Sequence, residues 1–176
     1  MQITIINRQK KIPISKRAIK STVLKVFKIL YPEREEYRRS KARFLQKTGS
    51  AAAGELSVLF TDNKTIRQLN LKFTGKDEPT DVLCFDLSEK NNTSVDIVIS
   101  AERACENAAI FKTLPIAEAK LYLVHGILHF LGYDDKRQKD REKMHQLALQ
   151  ILSKVASSPS TSSGSLEGSR VKSRNK

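Results

Sequence analysis

The spacing of apolar residues changes along this chain, and each change marks an element. Residues 2–7 are β-branched and alternate weakly, which predicts a first strand. Pro13 and Ser15 mark a helix start, and Lys16 to Leu30 follows helical spacing. Its apolar face carries Ala18, Ile19, Thr22, Val23, Val26, Phe27 and Leu30, and its basic side chains lie largely opposite. Pro32 ends it. Glu55 to Thr61 predicts a second strand, and Asp62 and Thr65 cap a short helix over Ile66 to Leu71. Phe73 to Asp81 reads as a loop from its Gly, Pro and Asp content. Val82 to Leu87 and the more apolar Asp96 to Ser100 are strands, separated by a turn over Glu89 to Thr93. Ser100 caps a helix over Ala101 to Phe111, and Leu114-Pro115 breaks the chain. Ile116 to Phe130 is the most apolar helix, with Ala117, Leu121, Val124, Leu128 and Leu131 in line. An amphipathic helix over Lys136 to Val155 follows, with Met144, Leu147, Ala148, Ile151 and Leu152 inward.

These elements predict an α+β fold: a small mixed β-sheet from strands near 2–7, 55–61, 82–87 and 96–100, covered by helices. The apolar helix over Ile116 to Phe130 should sit centrally. A single domain over residues 1–156 accounts for all of them. Two segments fall outside the pattern. Residues 33–54 are dense in charge with few apolar anchors and read as an exposed excursion. Its cluster Arg38, Arg39, Lys41 and Arg43 is a candidate RNA contact, or simply a solvated insertion. Residues 157–176 are Ser-rich and end basic, a composition that cannot bury enough surface to fold, so a disordered tail is expected.

Composition turns attention to polyanions. The chain has 32 basic and 19 acidic residues, a formal net charge of +13, which makes nucleic acid the first partner to consider. Cys84 and Cys105 have no metal-type spacing and form no disulfide framework, so small core residues in a reducing compartment are expected. No apolar run is long enough for a bilayer span, and the N-terminus lacks signal-peptide features. The expected location is the cytoplasm, away from membranes.

The chemistry concentrates in the eleven residues from His125 to Asp135. His125 and His129 are four apart, so a helix places both imidazoles on one face. Gly132 stands where a helix commonly stops, which lets the chain turn back and offer Asp135 as a third donor. The spacing His-x-x-x-His-x-x-Gly-x-x-Asp keeps the frame of the metzincin proteases, which hold zinc with three histidines and leave a fourth position for water. Here Gly126 stands where those enzymes have a glutamate base, and Asp135 stands for the third histidine. The pattern therefore points to a catalytic-type metal site without the protease base. The other reading of such a pair is an ordinary amphipathic helix. His145, ten residues beyond Asp135, is an alternative ligand, but its place on the next helix favours a surface or core role.

The same stretch resembles the signature His-Gly-x-Leu-His-Leu-x-Gly-Tyr-Asp-His of the YbeY family of metal-dependent endoribonucleases. Seven of nine specified positions match; Phe130 replaces a leucine and Asp135 the third histidine. Leu69-Asn70 and Phe73 to Phe85 are similar to the family's Leu-Asn-x-x-Tyr-Arg-x-Lys-Asp-x-Pro-Thr-Asp-Val-Leu-Ser-Phe, and Asp96 to Ser100 to its Gly-Asp-Ile-Val-Ile-Ser. The resemblance runs over roughly residues 55–152. It implies a single-strand-specific, metal-dependent endoribonuclease of ribosomal RNA maturation (16S 3′ end processing) and ribosome quality control, with ribosomal RNA and the ribosome as partners. It implies one zinc ion on His125, His129 and Asp135.

The departures set expectations of their own. Asp135 makes a harder, more negative donor set and widens metal choice toward Mn2+ or Fe2+. Thr74 stands where the family places an arginine that engages the RNA, and a hydroxyl cannot replace a guanidinium. Lys76 is the nearest cation to take over. Val95 replaces a glycine before Asp96. With Gly126 in place of a base, water at the metal or the carboxylate of Asp134 is the candidate for that role. Two other classes stay open. One is a ribosome-assembly or RNA-binding factor with a structural or weakly active metal site. The other is a metallopeptidase, which Gly126 disfavours.

Overall fold

A computed structural model describes residues 1–30, 54–89 and 93–157. Nine elements follow in order among them: β1 (Gln2–Asn7), α1 (Lys16–Leu30), β2 (Glu55–Thr61), α2 (Asn63–Thr74), β3 (Val82–Asp86), β4 (Ser94–Ser100), α3 (Ala101–Phe111), α4 (Pro115–Phe130) and α5 (Gln138–Ser157). The excursion expected at 33–54, with Arg38, Arg39, Lys41 and Arg43, and the tail expected at 157–176 lie outside the described residues, apart from Gly54 and Ser157.

The strands form one mixed sheet in the order β1-β2-β4-β3. β1 pairs parallel to β2 and β2 parallel to β4, while β3 runs antiparallel along the edge of β4. The parallel pairs put Ile3 opposite Leu56, Val58 opposite Ile97 and Phe60 opposite Ile99, all of them buried. β2 and β4, the inner strands, are accordingly the most deeply buried.

The caps follow the sequence. Asp62 accepts from the N–H of Thr65 at 2.7 Å and starts α2. Ser100 accepts from the N–H of Arg103 at 3.1 Å and starts α3. α2 is longer than its apolar pattern predicts, because Asn63 already belongs to it and it runs through Phe73 and Thr74. It stops at Gly75, whose φ of 76° is left-handed. The loop therefore begins at Gly75, two residues later than Phe73. It is tied to α2 by a two-pronged Arg67–Asp77 pair at 2.7 and 2.8 Å and by Asn70 Nδ2 donating to the Glu78 carbonyl at 2.9 Å.

α4 is the central helix. It packs against β3 and β4 and against α1, α3 and α5. Ala119, Leu123, Val124, Ile127 and Leu128 are fully enclosed. Each large aliphatic side chain buried this way contributes about 1.5–3 kcal/mol, so the helix is anchored along most of its length. Ala117, expected inside, is exposed; the buried position beside it is Glu118, which accepts from the Thr113 hydroxyl at 2.5 Å.

Candidate metal and RNA site

The site lies at the C-terminal end of α4, where the core helix meets a turn. Gly126 comes first, because it decides how deep the helix sits. A Cβ at this position would lie 2.7 Å from Ile97 Cγ2 and 3.3 Å from Val82 Cγ2. The position is thus a packing contact with β4 and β3. The protease frame treats it as an absent base; a side chain there would also have to displace Ile97.

One turn on, α4 ends in a Schellman-type turn. The N–H of Tyr133 donates to the Leu128 carbonyl at 3.0 Å and that of Gly132 to the His129 carbonyl at 2.9 Å. Gly132 takes φ 91°, as the turn requires. The reversal brings the Tyr133 carbonyl to 3.2 Å from His129 Nδ1. With Nδ1–H donating to that carbonyl, Nε2 carries the lone pair. The same reversal returns Asp135, whose Oδ2 lies 3.6 Å from His129 Nε2. Arg141 Nε donates to the Asp135 carbonyl at 3.3 Å and ties the turn to α5.

His125 sits deeper. Its Nε2 is enclosed and has no hydrogen-bond partner among the described residues. Burial pushes its pKa down to about 4, against the pull of the Asp81 carboxylate; His145 and His129 push the same way as burial. The ring is therefore neutral near pH 7. Asp81 was not singled out from sequence, and its role beside His125 comes from β3 packing under α4. His145, from α5, brings its ring centroid to 5.7 Å from that of His125. This proximity was also missed, because spacing along the chain says nothing about two helices that pack together.

These side chains thus come as two pairs, His129 with Asp135 and His125 with His145. Among the described residues, no three His, Cys, Asp or Glu side chains are gathered into a group that could hold a metal ion as they stand. Asp134, the candidate base, faces solvent. It accepts from the N–H of Lys136 at 3.1 Å, and that bond holds its carboxyl below the usual carboxylate range. It acts as a turn cap.

A cavity of about 430 Å³ opens between α2, the following loop and α3. Lys76 and Arg103 line it, with Asn70, Thr74 and Asp81. Thr74 donates its hydroxyl within α2, to Asn70 at 2.6–2.8 Å. Arg103 Nη1 pairs with Glu106 at 3.2 Å, while its Nε is enclosed without a hydrogen-bond partner among the described residues. Asp81 touches both regions, lining the cavity and acting electrostatically on His125.

No helix of the described residues is long and apolar enough to cross a membrane. The solution structure of a Thermotoga maritima protein superposes with a TM-score of 0.53 over 88% of this chain and 89% of that one, at 24% identity, a likeness of fold. Endoribonuclease YbeY of Christiangramia forsetii is 40% identical over 93 residues, which are 53% of this chain and 65% of that protein, just under two thirds of its length. Endoribonuclease YbeY of Oceanobacillus iheyensis is 38% identical over 119 residues, 61% of this chain and 77% of that one. Relatives of that name are hydrolytic nucleases acting on RNA. The family model for endoribonuclease YbeY matches residues 4–156, a span that holds His125, His129, Asp135 and the cavity, and the chain belongs to that family.

Proposed function

We propose that this protein is a metal-dependent endoribonuclease that cuts single-stranded RNA. Its place is ribosomal RNA maturation at the 3′ end of 16S RNA and ribosome quality control, in the cytoplasm and in contact with the ribosome. The observation that carries the reading is the pair of nitrogens on one face of α4: the enclosed, unpartnered Nε2 of His125 and the Nε2 of His129 beside Asp135.

The donor chemistry fits a divalent cation. A buried ring nitrogen without a partner costs about 1–3 kcal/mol, and a cation would remove that cost. The 3.6 Å between His129 Nε2 and Asp135 Oδ2 is too long for a hydrogen bond. It is close to the separation of about 3.3 Å expected for two donors on one tetrahedral ion. His125, His129 and Asp135 are the residues that would hold zinc, with Mn2+ or Fe2+ admitted by the carboxylate, and loading requires His125 and the His129–Asp135 pair to close toward each other. Such an ion supplies Lewis acidity toward water and a phosphodiester.

The remaining work falls to this chain's own groups. The Tyr133 carbonyl holds the His129 tautomer with its lone pair outward. Lys76 and Arg103 hold RNA phosphates at the cavity, a contact that is tolerant of sequence and sensitive to salt. Asp81, which lines the cavity and acts electrostatically on His125, joins Asp134 as a candidate to take a proton from water. The engaged hydroxyl of Thr74, in place of a guanidinium, favours a second reading in which turnover is slow and RNA binding is the main task.

The test is cleavage of a labelled single-stranded ribosomal RNA fragment, with and without chelator, beside His125→Ala. Chelator-sensitive cutting that falls more than about 100-fold in the variant is expected. Cutting that survives chelation and the substitution would sink the metal assignment. Ribosome binding without any cutting by the metal-loaded protein would favour the second reading.

A further inference from the structure

We propose that His145 is a donor to the same cation, supplying from α5 the imidazole that Asp135 leaves missing from the turn. The inference rests on the metal reading above and goes beyond it, since no motif in the chain includes His145.

Three observations carry it. First, the His125 and His145 rings face each other with centroids 5.7 Å apart and planes tilted by 53°. An imidazole bound through nitrogen at about 2.1 Å puts its centroid about 3.2 Å from the ion. Two such rings at a tetrahedral angle stand about 5 Å apart, so a small closure of the observed pair suffices. Second, His125 Nε2 has no hydrogen-bond partner among the described residues, so the two rings are not joined through that nitrogen by an N–H···N bond. The ring centroids stand within about 1 Å of ligand spacing, and one of the two rings carries a nitrogen without a partner among the described residues. Third, His145 is placed firmly. Its neighbour Met144 and, one turn on, Ala148 are buried in the core against α4, while His145 itself lies at the exposed mouth of the site. The backbone is fixed and the side chain is able to turn.

The consequence concerns Asp135. With His125, His129 and His145 the ion has the three imidazoles of a catalytic zinc centre. Asp135, half-buried on the turn, would then be a fourth donor beside three imidazoles. The change of the turn residue from histidine to aspartate then leaves the number of imidazoles unaltered.

The experiment uses Co2+ as the probe on the full chain. Co2+ affinity is read by chelator competition, and coordination by the visible absorption of the bound ion, for the unaltered protein, His145→Ala, His145→Gln and His125→Ala. His145 is exposed, so both of its variants should keep the parent's urea midpoint. The expected result is a fall in affinity of more than about 10-fold for both His145 variants, with a changed visible spectrum, and a larger fall for His125→Ala. Unaltered affinity and spectrum in the His145 variants, with His125→Ala impaired, would overturn this inference and leave the metal reading standing. Absence of specific Co2+ binding by the unaltered protein would overturn both.

Discussion

Gly126 and Gly132 stand three residues to either side of His129, and they are glycine for opposite reasons. At Gly126 the backbone is ordinary helix and the space is taken: a Cβ would meet Ile97 at 2.7 Å. At Gly132 the space is open, with nothing within 4 Å of an added Cβ, and the backbone is special, with φ 91°. The first glycine belongs to a rigid body, the helix α4 pressed on β3 and β4. The second belongs to a turn held by a few hydrogen bonds at the surface. The candidate donors divide in the same way. His125 and His129 are positioned by the core, and Asp135 by the turn. Among the candidate donors, the signature departs from this chain at Asp135, on the turn, and agrees at both histidines, on the helix. A donor carried by a solvated turn can change chemistry without moving the sheet.

The largest effect expected from this contrast is at Gly126. Gly126→Ala forces a methyl against the γ-methyl of a fully buried, β-branched isoleucine, and should destabilise the fold by about 1–3 kcal/mol in urea unfolding. The loss should be non-additive with Ile97→Ala, which opens the space the methyl needs. Full additivity of the two substitutions would break the steric account.

Gly132→Ala should cost less, about 1 kcal/mol, because only the left-handed backbone objects. Here relief comes from a different chemistry. Gly132→Asn should recover part of the loss, since asparagine tolerates positive φ, whereas Ile97→Ala should leave it unchanged. If asparagine is no better than alanine in the urea midpoint, the turn's strain lies elsewhere.

The same division explains what was legible in the sequence. α1 and α3 have the bounds their apolar periodicity predicts, and Asp62 and Ser100 cap where they should, because these signals are local. The edge position of β3 and the parallel pairing of β1 with β2 are long-range facts that no window contains. At the site, the spacing of His125, His129 and Asp135 brought together His129 and Asp135, which the turn places at 3.6 Å. It could not show the packing of Gly126, which lies against Ile97 on another element. It could not place His145 or Asp81 beside His125, because both arrive through the packing of α5 and β3 on α4. One signal was available for His145. It is the third of only three histidines, on a helix whose inward face begins at Met144, one residue away.

The smallest effect reads the dryness of the β3–α4 contact directly. Burial pushes the Cys84 thiol up to about 11, reinforced by the Asp86 carboxylate, while a backbone hydrogen bond at Phe130 pulls the other way. The raised value means the thiol stays protonated at pH 8, with a thiolate fraction of about one in a thousand. Alkylation of Cys84 should therefore be slow there and rise about tenfold per pH unit until the pH nears that value. Mass-spectrometric mapping of the alkylated residue follows it separately from Cys105. Gly126→Ala lifts α4 from Val82, two residues from Cys84 on the same strand, and should speed the reaction at fixed pH. Gly132→Ala changes only the turn and should not. Equal acceleration by both would mean that the turn and the helix body loosen together, and that the donors on α4 are no better fixed than the donor on the turn.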